Sequence, residues 1–105
     1  MDILKEADRL INGDRNDAYG HPLEDFSRVA RLWSVALEKE ISAEQAILCM
    51  ILLKVSREMH KHKDDTLVDV AGYATCLQKV IEKRRETDAK KWIEHPKFGS
   101  GPALE

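Results

Sequence analysis

Two apolar helical stretches joined by a five-residue polar connection constrain this chain more than any other feature. The first, AILCMILLKV (residues 46–55), is apolar almost all round, which predicts a helix buried on most of its sides. The second carries Leu67, Val70, Ala71, Ala74, Leu77, Val80 and Ile81 at helical spacing. KHKDD (61–65) between them is so short that the two helices must pack antiparallel, as a hairpin. Ser42-Ala-Glu-Gln45 is a capping box, so the first helix starts there and runs to about His60. The second continues to about Trp92.

The remaining text fits helices around that hairpin. Asp2 caps a short helix with Ile3, Ala7, Leu10 and Ile11 on one face, and Gly13 supplies a left-handed stop. GDRNDAYGHP then reads as a loop of about ten residues, a length that is often functional or pinned by its own side chains, here Tyr19 and His21. Pro22 opens the next helix, with Glu24 and Asp25 well placed for its dipole. Phe26, Val29, Trp33 and Leu37 carry that helix to about Glu40. No strand pattern or internal repeat exists, so the expected fold class is all-α: a four-helix bundle with a central buried hairpin and a long C-terminal helix. Residues 1–95 form one domain in this reading, and 96–105 a flexible tail. The last helix outruns its neighbours, and residues 47–55 carry surplus apolar surface. Both features predict a homo-oligomer, dimer or tetramer, with Trp92 as an interface anchor.

Charge and composition exclude some function classes. A net charge of −2 lacks the basic excess of a dedicated nucleic-acid binder. The basic run in 79–97 is interleaved with Glu82, Glu86, Asp88 and Glu94, as on a solvated helix face. No apolar run approaches the roughly 20 residues of a membrane span. Cys49 and Cys76 sit in apolar helical text and read as buried thiols of a reducing compartment, hence a cytoplasmic location.

The charges of the hairpin need an explanation. Lys54 and Arg57 share one helix face, as do Asp65 and Asp69. Counting back from a turn near residue 62 places Arg57 opposite Asp69, Lys54 about one turn deeper opposite Ala71, and Cys49 level with Cys76. Two readings stay open. In the structural one, Arg57 bridges Asp69, Lys54 snorkels outwards and an Asp caps the second helix. In the functional one, Asp65 and Asp69 hold Mg²⁺ with help from Glu24 and Asp25, and Lys54 and Arg57 hold phosphates. Arg15, Tyr19 and His21 then close over a nucleotide. His60 and His62 are two apart and face different sides, which disfavours zinc.

The runs INGDRNDAYGHPLEDFSRVARLW, MILLKVSRE and DDTLVDVAGYA together resemble a family of small phage and prophage proteins of unassigned function. More distantly, DDTLVDVAGYATCL is similar to the second metal-binding helix of the MazG-like all-α nucleoside triphosphate pyrophosphohydrolases. That resemblance implies a four-helix core, usually dimeric or tetrameric, Mg²⁺ on a carboxylate-rich hairpin, and cleavage of a triphosphate to monophosphate and pyrophosphate. It aligns Asp69 with the aspartate of that group. The layout also resembles phage helical domains associated with nucleotide modification. The signature E-x-x-E followed by E-x-x-D is absent: Lys54 and Arg57 stand where the first glutamates fall, and Thr66 where the next one does. The expected function is thus binding, and possible hydrolysis or modification, of a nucleotide or similar phosphate compound. The alternative is a non-catalytic oligomeric interaction module with a structural charged hairpin.

Overall fold

The computed structural model describes residues 1–94, without the side chains of Asp14 and of 91–94. The expected tail, 96–105, and the Trp92 side chain therefore lie outside the described residues. The described chain is all-helical: α1 (Ile3–Arg9), a π-helical turn (Leu10–Asp14), α2 (Arg15–Tyr19), α3 (Pro22–Leu37), α4 (Ala43–His60) and α5 (Asp64–Glu94). The α4–α5 hairpin is the spine, with α1 on α5 and α3 against both.

Helix starts obey local chemistry. The Asp2 carboxylate accepts from the Lys5 N–H at 3.1 Å. Ser42 and Gln45 exchange both bonds of the capping box, at 3.1 and 2.9 Å. Pro22 occupies the first turn of α3, as its ring geometry favours. The α3–α4 corner is held by Ser34, whose hydroxyl donates to the Ala30 carbonyl at 2.7 Å and accepts from the Ile41 N–H at 2.9 Å.

The expected stop at Gly13 does not occur. Gly13 lies inside the π-helical turn, and the chain passes through it into α2, ending at Gly20 with φ +80°. The long loop is accordingly mostly helical. The wider π turn carries Ile11 into the core, 6% exposed, against Gly72 of α5. A Cβ at Gly72 would stand 3.5 Å from the Ile11 side chain, so the small residue lets the two segments approach.

The core gathers Ile11, Phe26, Ala30, Ala43, Ala46, Ile47, Cys76 and Val80, with Trp33, Met50 and Tyr73 packed around it. Two expectations about facing are corrected here. In α5 the buried line is Val68, Gly72, Cys76 and Val80, whereas Leu67, Val70 and Ala71 are half-buried and Ala74 is exposed. The helix is contacted by α1, α3 and α4 together, and that sandwich buries a line rotated from the one apolar spacing picks out. In α4, burial is confined to one face. Leu48, Leu52, Leu53, Val55, Met59 and Cys49 are exposed, so the helix is not buried on most sides and Cys49 does not meet Cys76.

Candidate functional site

Beside the hairpin turn lies an open cleft of about 680 Å³, lined by Lys54, Ser56, Arg57, His60, Lys61, Lys63, Asp65, Thr66 and Asp69. Four of its side chains are Lys or Arg against two carboxylates. The last two turns of α4 contribute Lys54, Arg57 and His60, the connection contributes Lys61 and Lys63, and the first turns of α5 contribute Asp65, Thr66 and Asp69. Because the C-terminal end of a helix carries partial negative charge, Arg57 and His60 are well placed for the stability of α4.

Pairing inside the cleft differs from the counted register. Lys54 Nζ, not Arg57, meets Asp69, at 2.9 Å from Oδ2. Lys54 is largely buried and Asp69 is 40% exposed. Arg57 is exposed and, with Lys61 and Lys63, makes no ion pair among the described residues. Counting residues from a turn fixes depth but not rotation about the helix axis. Three residues along a helix is about 300° of rotation, which is how Lys54 and Arg57 exchange roles.

The turn is fixed by Glu58, which sequence reasoning passed over, and by His62, which it weighed only as a zinc ligand. Glu58 accepts from the Lys63 N–H at 3.2 Å and from the His62 ring, whose other nitrogen lies 3.1 Å from Asp64. The Glu58 contact, then the Asp64 contact, raise the His62 pKa above its usual value, and the His62 contact lowers that of Glu58. His62 thus pairs with two acids of the turn, Glu58 and Asp64, neither of which lines the cleft. A Glu four residues before a His was the available signal.

The loop residues form a separate cluster. Arg15 Nη2 donates to Asp25 at 2.6 Å, and its guanidinium lies 5.3 Å from the Tyr19 ring centroid and 4.9 Å from that of Phe26. Arg28 donates to the Tyr19 carbonyl at 3.1 Å. His21 Nδ1 accepts from the Leu23 N–H at 3.0 Å and so caps α3. These contacts fasten α2 to α3. Of the three expected loop contacts only Arg15 approaches the hairpin, sharing a recess of about 110 Å³ with Asp69 and Tyr73. Burial raises the pKa of Tyr73, which meets Phe26 edge-on at 6.1 Å.

The four expected metal ligands are not brought together. Asp65 and Asp69 line the basic cleft, Asp25 is held by Arg15, and Glu24 lines another cleft with Arg28 and Arg31. Among the described residues no three His, Cys, Asp or Glu side chains gather as a metal site. The physical reason is that the π turn and α2 carry Arg15 onto Asp25, which consumes that carboxylate as an ion pair.

Among the described residues no helix is long and apolar enough to cross a membrane. A family model described as "Domain of unknown function (DUF6378)" matches residues 2–81. The "Gene 55 protein" of Mycobacterium phage D29 is 44% identical over 91 residues, covering 86% of this chain and 60% of that protein. The "Gene 55 protein" of Mycobacterium phage L5 is 42% identical over 82 residues, covering 76% and 53%. The chain thus spans little more than half the length of these relatives. No solved structure matches it.

Proposed function

The chain belongs to the DUF6378 family, a phage-related group whose description carries no activity, and we propose from its own side chains that it binds a nucleotide or similar phosphate compound in the hairpin-turn cleft. One observation carries this reading. Arg57, Lys61 and Lys63 converge on a cleft of about 680 Å³ while making no ion pair among the described residues, and Lys54 lies at its base. Pockets of roughly 300–1,000 Å³ suit small ligands, and a planar guanidinium beside mobile ammonium groups suits phosphate oxygens.

The reading stops at binding. The MazG-like reaction requires carboxylates that hold Mg²⁺, and here Lys54 and Arg57 replace two of them while Asp69 is already neutralised by Lys54. That donor set does not fit a resident divalent ion. Mg²⁺ enters this reading only as a counter-ion brought by the nucleotide.

A thermal-shift titration with inorganic pyrophosphate and with nucleoside triphosphates tests the proposal. Ligand at ten times its Kd adds about 1.4 kcal/mol, which raises Tm by several degrees in a domain of this size. Arg57→Ala combined with Lys61→Ala should abolish the shift, and both residues are exposed, so folding is preserved. Absence of a shift at millimolar ligand, or a shift that survives the double substitution, defeats the reading.

The second reading, a non-catalytic interaction module, is favoured by the Lys54–Asp69 pair. That pair fastens α4 to α5 with no ligand required. In that case the double substitution changes neither the melting curve nor its response to anions.

A further inference from the structure

Asp69 faces two spaces at once. One is the basic cleft, and the other is a recess of about 110 Å³ between the π turn and α5. Asp65, Asp69 and Tyr73 recur every four residues on α5, so cleft and recess follow one another along a single face of that helix. Leu10, Ile11 and Val68 give the recess apolar walls, and its polar groups are Arg15, Asp69 and Tyr73. Two of these keep unused hydrogen-bonding capacity. The Tyr73 hydroxyl makes no hydrogen bond among the described residues, although burial and then the charges of Lys54, Asp69 and Arg15 all act on it. Arg15 donates from Nη2 to Asp25, but its Nη1 is buried without an acceptor, and buried polar groups are nearly always paired. Gly72 is a third sign. Glycine is the poorest helix former after proline, yet it stands within α5. The approach of Ile11 bars large side chains there but admits alanine, whose Cβ would stand 3.5 Å away in ordinary contact. What the missing methyl leaves open is the recess, which Gly72 and Ile11 both line.

Resting on the anion reading of the cleft, we propose that this recess is its nucleoside subsite. The ligand is then a nucleoside phosphate, with its phosphates towards Arg57, Lys61 and Lys63 and its base in the recess. Size limits what enters. At roughly 30 Å³ per water, the recess holds about four water volumes. That is well below the roughly 300–1,000 Å³ of a whole ligand site and close to the bulk of one flat ring. Chemistry fits the same part of the ligand. The faces of a base meet Leu10, Ile11 and Val68, while its carbonyls and ring nitrogens accept from the Tyr73 hydroxyl and the Arg15 guanidinium. Asp69, 40% exposed between the two spaces, accepts from a sugar hydroxyl. A bare polyphosphate has no part that suits an apolar recess with a carboxylate in its wall.

Isothermal titration with pyrophosphate and with cytidine 5′-diphosphate gives the test, since both carry a diphosphate and only the second a one-ring base. Wild type should bind the nucleotide at least about tenfold more tightly, as one or two added hydrogen bonds allow. Gly72→Ala should remove most of that advantage while the affinity for pyrophosphate stays within about twofold. Circular dichroism should stay wild-type, because alanine favours the helix. Tyr73→Phe keeps the ring against Phe26 and removes only the hydroxyl. It should weaken nucleotide binding about three- to tenfold and leave pyrophosphate unaffected. Should Gly72→Ala fail to fold, Tyr73→Phe decides alone. Equal affinity of the wild type for the two probes overturns the nucleoside subsite and leaves the anion reading in place. A nucleotide advantage that survives both substitutions puts the base elsewhere and overturns the subsite too. Binding of neither probe overturns the anion reading and the subsite with it.

Discussion

Replacing Asp69 by Asn should tighten anion binding rather than weaken it. The carboxylate lies 2.9 Å from Lys54 Nζ and is 40% exposed on the wall of the basic cleft. An anion seated against Lys54 would sit on the order of 6 Å from that carboxylate. With an effective dielectric of about 40–80 and a screening length of about 8 Å, each ligand charge is repelled by roughly 0.3–0.7 kcal/mol. A pyrophosphate with about three charges then gains on the order of 1–2 kcal/mol from the neutral amide, close to tenfold in Kd. Release of the Lys54 ammonium acts in the same direction. Losing the carboxylate leaves the largely buried Lys54 ammonium without its charged partner, so stability should fall by roughly 1–3 kcal/mol. Isothermal titration with pyrophosphate at physiological salt, with and without Mg²⁺, measures the effect. Unchanged affinity would place the anion away from Lys54. Weaker binding confined to the Mg²⁺ titration would return Asp69 to the role of metal ligand and refute the reasoning.

Other predictions rest on the hairpin and core. The His62 pKa is raised, chiefly by Glu58 and then by Asp64, so its stabilisation is full below the ordinary value of 6.5 and is lost as pH rises through the higher folded value. Glu58, whose pKa is lowered, contributes above its ordinary 4.5 and loses that contribution as pH falls through the lower folded value. Urea unfolding of wild type should therefore weaken on the alkaline side of 6.5 in a way that His62→Ala removes; identical profiles would dissociate His62 from the turn. Ile47 is 0% exposed, so Ile47→Ala should lower unfolding free energy by about 2–5 kcal/mol, and a loss under 1 kcal/mol would contradict the placement of α4. Thiol labelling of the native protein should spare Cys76, buried and with its pKa raised by that burial, until the chain unfolds; rapid labelling of both cysteines would refute the core.

The candidate site was legible in its composition and misread in its geometry. Lys54, Arg57, Asp65 and Asp69 do line one cleft, as the short hairpin turn implied. Which cation meets Asp69 depends on the rotation of α4 about its axis, and residue counting carries no rotation. Glu24 and Asp25 stand one residue apart yet belong to different surroundings, because successive helix positions point about 100° apart. Arg15 looked available for a ligand because its partners, Asp25 and Phe26, come within reach only after the π turn re-aims the chain.

What the sequence by itself determined are the features whose chemistry closes within a few residues: the Asp2 cap, the Ser42–Gln45 capping box, Pro22 at the head of α3, and the sharp hairpin turn. Their bonds form between neighbours in the chain, so their pattern is written in consecutive letters. Tertiary structure alone decided which line of α5 is buried, that Gly13 continues a helix, that Lys54 pairs with Asp69, and that Leu48, Leu52, Val55 and Met59 face outwards. Burial is a property of what lies across from a residue. For an apolar helix such as α4, several rotations satisfy the local pattern equally, and only packing against α3 and α5 selects among them.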